Sequence, residues 1–227
     1  MSESSPGIPS VDADLVAERA EALRTLVDRH RTRPVTIVAV TKRFGADAVA
    51  AALRAGLVDI GENYAQELAA KAEHVTAFGP ASPRWHFIGH VQRNKVRLVA
   101  DVVDLWHTVD SPSLGREIAK RSPGAAVLVQ VNLADSTGQS GVGTADVAPL
   151  VDTLRDLGLD VGGLMMIGAA GDAAATRDVF ALLRRTADDL ELVECSMGMS
   201  GDLESALESG STMLRVGTGL FGPRPSV

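Results

Sequence analysis

The stretch Val35-Thr-Ile-Val-Ala-Val-Thr-Lys42 joins a short apolar run, typical of a buried β-strand, to a lysine at its carboxyl end. A cation at the end of a buried strand lies where the hydrophobic core meets a pocket. A partly desolvated lysine loses proton affinity and can attack carbonyl groups, so Lys42 is a candidate for Schiff-base chemistry. From this stretch alone, a lysine that merely extends its amine into water is the more common case.

Seven further apolar runs follow, and amphipathic helical patterns separate them. The eight predicted strands are residues 35–41, 58–61, 85–89, 102–108, 126–132, 161–167, 192–196 and 213–217. The predicted helices are residues 11–30, 46–55, 64–74, 94–99, 113–120, 145–157, 173–190 and 202–209. Gly56, Gly158 and Gly210 each follow a predicted helix, where a left-handed cap is expected.

The alternation of strands and helices predicts an α/β fold with parallel strands and right-handed crossovers. Eight units favour a (β/α)8 TIM barrel, with the first helix as an added cover. An open doubly wound sheet is the alternative, although no G-x-G-x-x-G turn follows the first strand. The sequence therefore predicts a disordered tail over residues 1–10 and a single barrel domain over residues 11–227.

Composition and charge exclude several classes of protein. The 227 residues are 45% hydrophobic and 22% charged, which is ordinary for a globular chain. The net charge of −7 argues against a general nucleic-acid binder, and no apolar run approaches the length of a membrane span. Cys195 is the only cysteine, so an intrachain disulfide is impossible, and it is expected to pack as a small hydrophobe. We expect a cytoplasmic protein.

In a barrel, residues at the carboxyl ends of the strands converge on one mouth. The residues predicted there are Lys42, Glu62, Asn63, His86, Gly89, His90, Asn132, Met165, Met166, Ile167, Ser196, Gly198, Ser200, Arg215, Gly217, Thr218 and Gly219. The remaining histidines, His30, His74 and His107, lack metal-ligand spacing and are expected at the surface or in packing positions. No metal site is predicted.

Two turns at this mouth suggest a phosphate site. Ser196-Met-Gly-Met-Ser200 leads into a helix, and Val216-Gly-Thr-Gly219 lets backbone N–H groups approach an anion. Each turn alone fits ordinary helix capping or tight-turn geometry equally well, but the two together favour phosphate. A lysine facing a phosphate site suggests a phosphorylated aldehyde, and pyridoxal phosphate (PLP) fits that description.

Six motifs, in order along the chain, carry a family resemblance. They are Val38-Ala-Val-Thr-Lys42, Gly61-Glu-Asn-Tyr64, Trp85-His-Phe-Ile-Gly89, Gln92-x-Asn-Lys95, Ser196-Met-Gly-Met-Ser200 and Arg215-Val-Gly-Thr-Gly-Leu-Phe-Gly222. Together they resemble the pyridoxal-phosphate homeostasis proteins, single-domain relatives of alanine racemase also known as the proline synthetase co-transcribed family. The resemblance runs from about Ala13 to Gly222.

The resemblance implies a barrel of the alanine racemase N-terminal-domain type, with pyridoxal 5'-phosphate as cofactor. Lys42 would hold the cofactor as a Schiff base, and Arg215 would lie near the pyridine nitrogen. The other cofactor-binding positions that it implies are Ser196, Ser200, Gly217 and Thr218 at the phosphate, and Asn63, His86 and Met165 around the ring. Arg93 and Gln139 depart from the usual family pattern at the rim.

An arginine beside the pyridine nitrogen disfavours its protonation and makes the ring a poorer electron sink. Racemases that resemble this fold add a tyrosine from a separate carboxyl-terminal domain, whereas here the sole tyrosine is Tyr64 and only residues 218–227 follow the last strand. We therefore expect a monomeric PLP carrier or regulator, not an efficient enzyme, with PLP-dependent apo-enzymes as candidate partners. A PLP-dependent amino-acid racemase and a cofactor-free Schiff-base aldolase remain the alternatives.

Overall fold

The computed structural model describes residues 11–75, 82–132, 140–168 and 173–223. The strands are β1 (Thr36–Val40), β2 (Asp59–Glu62), β3 (Arg84–Phe87), β4 (Val103–Val109), β5 (Ala126–Gln130), β6 (Asp160–Met165), β7 (Glu194–Ser196) and β8 (Met213–Val216). The helices are α1 (Ala13–His30), α2 (Ala46–Arg54), α3 (Ala65–Val75), α4 (Arg93–Val96), α5 (Pro112–Arg121), α6 (Thr144–Asp156), α7 (Ala173–Asp189), α8 (Leu203–Glu208) and α9 (Thr218–Phe221). The predicted tail over residues 1–10 lies outside the described residues, and the assignment of 11–227 to one domain stays a prediction.

The eight strands form one closed parallel barrel in the order of the sequence. Strand β1 pairs with β2, where Ala39 lies beside Ile60, and with β8, where Thr36 lies beside Met213. Because β1 and β8 are hydrogen-bonded to each other, the sheet has no open edge. The closure confirms the predicted (β/α)8 barrel and excludes the open doubly wound sheet.

Helix α1 precedes the first strand and covers the outside of the barrel, as predicted. The Asp12 carboxylate caps it by accepting hydrogen bonds from the N–H groups of Asp14 and Leu15, at 3.0 and 3.2 Å. Its buried residues, four in number and spaced along one face, are Val16, Ala20, Leu23 and Val27. The helix contacts α2, α8 and α9, so it spans the seam where the first and last units of the barrel meet.

Two apolar layers hold the barrel together. The larger layer lies between the strands and the surrounding helices and includes the rings of Phe87 and Trp106, whose centroids are 5.5 Å apart. The smaller cluster lies inside the barrel and consists of Leu128, Met165 and Met213, with Leu105 and Ile167 packed against it. Hydrophobic burial on both faces explains why the strands read as short, nearly continuous apolar runs.

Several element boundaries differ from the prediction, and two of the differences have a physical explanation. Strand β7 begins at Glu194 rather than at residue 192, because the Leu192 N–H bonds the Ala187 carbonyl at 2.8 Å and closes the end of α7. Helix α9 was not predicted, because Gly219 within it and Gly217 and Gly222 at its ends favour a turn over a helix. The left-handed caps are confirmed: φ is +75° at Gly56, +76° at Gly158 and +86° at Gly210.

The described part of the chain shows whether membrane-spanning helices or metal clusters occur there, and it shows the surroundings of Cys195. No helix there is long and apolar enough to cross a membrane, and no group of three or more His, Cys, Asp or Glu side chains could hold a metal ion. Cys195 is fully buried in the layer outside the barrel, which confirms its predicted packing role. Burial raises the pKa of its thiol to about 12, so the thiol stays protonated and inert at neutral pH.

Candidate functional site

A cavity of about 120 Å³ lies at the carboxyl ends of the strands. Seven of the nine predicted cofactor contacts line it: Lys42, Asn63, Met165, Ser200, Arg215, Gly217 and Thr218. The other lining residues are apolar: Val40, Ile88, Ile167 and Met199. The cavity therefore brings an amine, a guanidinium, an amide and two hydroxyl groups together against apolar walls.

Lys42 reaches the cavity because the alternation of β1 directs the preceding Thr41 outward. Thr41 is fully buried, and its hydroxyl donates a hydrogen bond to the Glu62 carboxylate. Nζ of Lys71, in α3, donates to the same carboxylate and also to the Thr41 carbonyl, at 2.8 Å. A buried ion pair thus ties the backbone next to Lys42 to the helix outside. Burial raises the pKa of Glu62, and the attraction of the Lys71 ammonium offsets only part of this effect.

Arg215 extends from β8 into the barrel and is only 5% exposed. Its Nη1 donates to the carbonyl and to the hydroxyl of Ser196, each at 2.7 Å, and its Nη2 donates to the Met166 carbonyl at 2.8 Å. These bonds fix the plane of the guanidinium against the cavity. Burial lowers the pKa of Arg215 to about 10, against the opposing effect of the Asp202 carboxylate. The side chain therefore remains a cation at neutral pH.

The two turns predicted to bind phosphate meet at one end of the cavity. The Ser200 hydroxyl oxygen lies 3.2 Å from that of Thr218. Gly217 is the N-cap of α9, and the first N–H groups of a helix have no partner within the helix. Hydroxyl groups and such N–H groups together suit an anionic ligand.

Gly198 shapes the first of these turns. Its φ is +99°, and a Cβ added there would lie 2.7 Å from both Cβ of Ala206 and Cδ2 of Leu214. We expect Gly198→Ala to lower the free energy of unfolding by roughly 2–5 kcal/mol, the sum of an unfavourable backbone conformation and overpacking. Denaturant unfolding measures this loss. Gly201→Ala is the matched control: a Cβ there meets open space, and equal losses in the two variants would contradict the argument.

Asn63 lies at the side of the cavity, directly after β2. Its Oδ1 is buried and makes no hydrogen bond within the described structure. A Cβ at Gly89 would lie 2.2 Å from the Asn63 carbonyl oxygen, so only glycine allows the end of β3 to approach this closely. The packing leaves one amide oxygen of Asn63 available to a ligand in the cavity.

The structure places the other two predicted cofactor contacts, Ser196 and His86, deeper in the barrel, outside the described lining of the cavity. The Ser196 hydroxyl contacts Arg215 and lies 2.9 Å from Nδ1 of His107. His86 lies 2.8 Å from His107 and 2.9 Å from Asp59. Both side chains point into the barrel interior because of their register on β7 and β3, and both connect to the cavity through Arg215.

Two buried polar residues, His107 and Glu62, have surroundings that the sequence analysis did not predict. His107 was expected at the surface or in a packing position, yet it is fully buried and contacts a polar partner at each ring nitrogen. Glu62 was expected at the mouth, yet it lies between β2 and α3. The alternation of side chains along each strand could have predicted these positions, because it puts Asn63 and His107 on the inner face of the barrel and Glu62 on the outer face.

The rim holds the residues that depart from the family pattern. Arg93 begins α4 and lines a separate surface concavity of about 820 Å³, together with Arg116 and Lys120. This concavity is the larger one, but it contains neither Lys42 nor the hydroxyl pair, so we place the site in the smaller cavity. Gln139 lies outside the described residues.

Comparison with known proteins identifies the family. The model of the family "Alanine racemase, N-terminal domain" matches residues 11–225. The pyridoxal phosphate homeostasis proteins of Vibrio alginolyticus and Escherichia coli K12 are 39% and 36% identical to this chain over 202 and 203 residues. The matches cover 84% of this chain in both cases, and 87% and 86% of those proteins. The chain belongs to the pyridoxal phosphate homeostasis protein family. The resemblance carried by the six motifs is thereby confirmed.

Solved structures agree with this family assignment. PipY of Synechococcus elongatus, in the structure with PLP bound, is 34% identical and superimposes with a TM-score of 0.81 over 91% of this chain and 100% of that chain. The alanine racemase of Corynebacterium glutamicum is 18% identical, with a TM-score of 0.70 over 96% of this chain and 63% of its own length. The second likeness concerns the fold alone and confirms a barrel of the alanine racemase N-terminal type.

Proposed function

We propose that this member of the family binds PLP in the cavity described above and holds it as a Schiff base on Lys42. The observation that carries the proposal is the convergence of Lys42, Arg215 and the Ser200–Thr218 hydroxyl pair on one cavity. When bound, the PLP aldehyde condenses with an amine, loses one water molecule and forms a product that absorbs visible light. The PLP bound to the PipY relative supports the same assignment.

The groups around the cavity fit each part of PLP. The Lys42 amine suits the aldehyde, and the hydroxyls of Ser200 and Thr218 suit the phosphate. The buried Asn63 oxygen can accept a hydrogen bond from a ligand, and Met165 offers an apolar surface to the ring. The chain carries a net charge of −7, so a phosphorylated ligand depends on these local donors and cations and not on the overall field.

The same geometry supports a carrier over an efficient enzyme. Arg215 stays cationic at neutral pH and disfavours a proton on a ring nitrogen beside it, which weakens the ring as an electron sink. Tyr64, the sole tyrosine, is 45% exposed and lines a different concavity on the rim. Neither feature favours the two-base chemistry of a racemase.

We further propose that the protein acts in PLP homeostasis inside the cytoplasm, by buffering the cofactor or by delivering it to PLP-dependent apo-enzymes, and that it is a monomer. The names of its relatives support the homeostasis role. Buffering requires that PLP bind reversibly, and the hydrolysis of a Schiff base by water meets that requirement without any further group.

Borohydride reduction of the protein after incubation with PLP, followed by peptide mass mapping, tests the proposal. We expect a phosphopyridoxyl group on the peptide that contains Lys42. An unmodified Lys42 in the presence of excess PLP would contradict the proposal. If borohydride instead trapped a sugar phosphate on a colourless protein, the cofactor-free aldolase would replace it.

A further inference from the structure

A continuous chain of polar contacts runs through the barrel interior, from the cavity to the opposite end. It begins at Arg215 and passes through the Ser196 hydroxyl to His107 and His86, over successive distances of 2.7, 2.9 and 2.8 Å. It continues to Asp59 at 2.9 Å and ends at Arg84, whose side chain is 59% exposed. Five strands, β8, β7, β4, β3 and β2, contribute to this chain, which we call the interior relay.

The protons in the interior relay can be placed from its two ends. Asp59 is ionised at neutral pH: burial raises its pKa, but the hydrogen bonds from His86 and Arg84 outweigh this effect and lower it. The carboxylate can only accept, so Nε2 of His86 carries a proton and donates it. Burial, together with the nearby Arg215 cation, holds the pKa of His107 well below its usual range, so His107 is neutral.

A single proton on His86 then gives every bond in the interior relay one direction. If Nε2 carries the only proton on His86, its Nδ1 accepts from the Nε2–H of His107, and Nδ1 of His107 then accepts from the Ser196 hydroxyl. The Ser196 oxygen, having directed its own proton toward His107, offers its lone pairs to Arg215. Each group from Arg215 to His86 donates toward Asp59, so the cation at the cavity and the Asp59 carboxylate are joined through neutral groups.

We propose that Asp59, His86 and His107 are positioning residues for the cofactor site, which direct the Ser196 hydroxyl so that it accepts from Arg215 and thereby hold the guanidinium in place. One consequence rests on the proposed function: the proton affinity of bound PLP would depend on the Asp59 carboxylate, which lies outside the cavity. Simple packing accounts for buried apolar groups, but it does not require six polar groups whose donors and acceptors match in sequence.

The first test needs no cofactor. Proton–nitrogen correlation spectra of the imidazole rings in the wild-type protein report which nitrogen of each histidine carries hydrogen. We expect both rings to carry hydrogen at Nε2, and His107 to carry none at Nδ1. A His107 ring protonated at Nδ1 would overturn the proposal, because the Ser196 hydroxyl would then point elsewhere.

The second test follows the pH titration of the visible PLP band. Asp59→Asn removes the terminal negative charge while keeping the shape of the side chain, and we expect it to lower the titration midpoint by about one pH unit. Asp104→Asn is the matched control: its carboxylate accepts from the Trp85 N–H at 2.7 Å and lies near Arg84, but within the described residues it makes no hydrogen bond to a histidine of the interior relay. Equal midpoints in both variants and the wild type would overturn the proposal.

A double-variant comparison separates the interior relay from a simple electric field. Ser196→Ala cuts the link between Arg215 and His107, so adding Asp59→Asn to it is expected to cause less than half the shift seen in the wild type. Full additivity would mean that Asp59 acts through space alone and would refute the positioning role. A wild type without any visible band would refute the proposed function, while the tautomer spectra would still decide the proton arrangement.

Discussion

Lys42→Ala is expected to abolish the borohydride-stable PLP adduct completely. The variant removes the only amine in the described lining of the cavity and leaves Arg215 and the hydroxyl pair in place. Residual binding through the phosphate and ring should persist with a dissociation constant at least ~10-fold higher, because the variant loses the covalent bond to the aldehyde and keeps the other contacts. Equilibrium dialysis with PLP measures the affinity, and peptide mass mapping measures the adduct.

The control for this variant comes from the other lysines of the chain. There are three: Lys71 is buried in an ion pair, Lys95 lines a concavity on the rim, and Lys120 is exposed on α5. Lys120→Ala should retain the adduct at the wild-type level. If the adduct survived in Lys42→Ala, PLP would be held by another amine and the cavity would lose its assigned chemistry.

Lys71→Met should cause the largest loss of stability among the variants considered. Methionine conserves the volume of the stem but leaves the Glu62 carboxylate, which is fully buried, without its cation. Breaking one side of a buried ion pair costs about 3–5 kcal/mol. For a chain of this size the loss corresponds to a drop in Tm of roughly 6–20 °C, which calorimetry measures directly.

The pH dependence of this loss identifies its cause. The pKa of Glu62 is already raised in the folded protein, and losing the Lys71 ammonium raises it further. A raised acid pKa means that the folded state binds the proton more tightly, so the penalty is full above the folded pKa and fades as the pH falls toward the unfolded value. Lys71→Met should therefore recover stability in mild acid, and adding Glu62→Gln should restore part of it at neutral pH. A loss independent of pH would point to packing instead.

The barrel could be predicted from the sequence because the patterns that indicate it are local. Apolar runs of strand length, helical patterns between them and glycines at the helix ends each depend on a few neighbouring residues. The alternation of eight strand–helix units favours a closed parallel sheet. The boundaries were less accurate: Leu192 is apolar, yet its N–H closes α7 and does not join β7.

Residues next to strand ends are easier to place from the sequence than residues within strands. Lys42, Arg215, Ser200 and Thr218 follow from motifs at the carboxyl ends, where every parallel strand opens onto the same mouth. Ser196 stays a predicted phosphate contact, and in the structure its hydroxyl accepts a hydrogen bond from Arg215. A motif shows that a residue is near a site, and the register of its strand decides which group it touches.

The sequence by itself determined the fold class, the family and the amine that we assign to the cofactor. Only the tertiary structure decided which polar groups meet inside the barrel. His107 and Ser196 are 89 residues apart in the chain, and their contact requires β4 and β7 to face each other across a closed barrel. Spacing along the chain specifies the face of a strand on which a side chain lies, whereas the partner across the interior depends on closure and register.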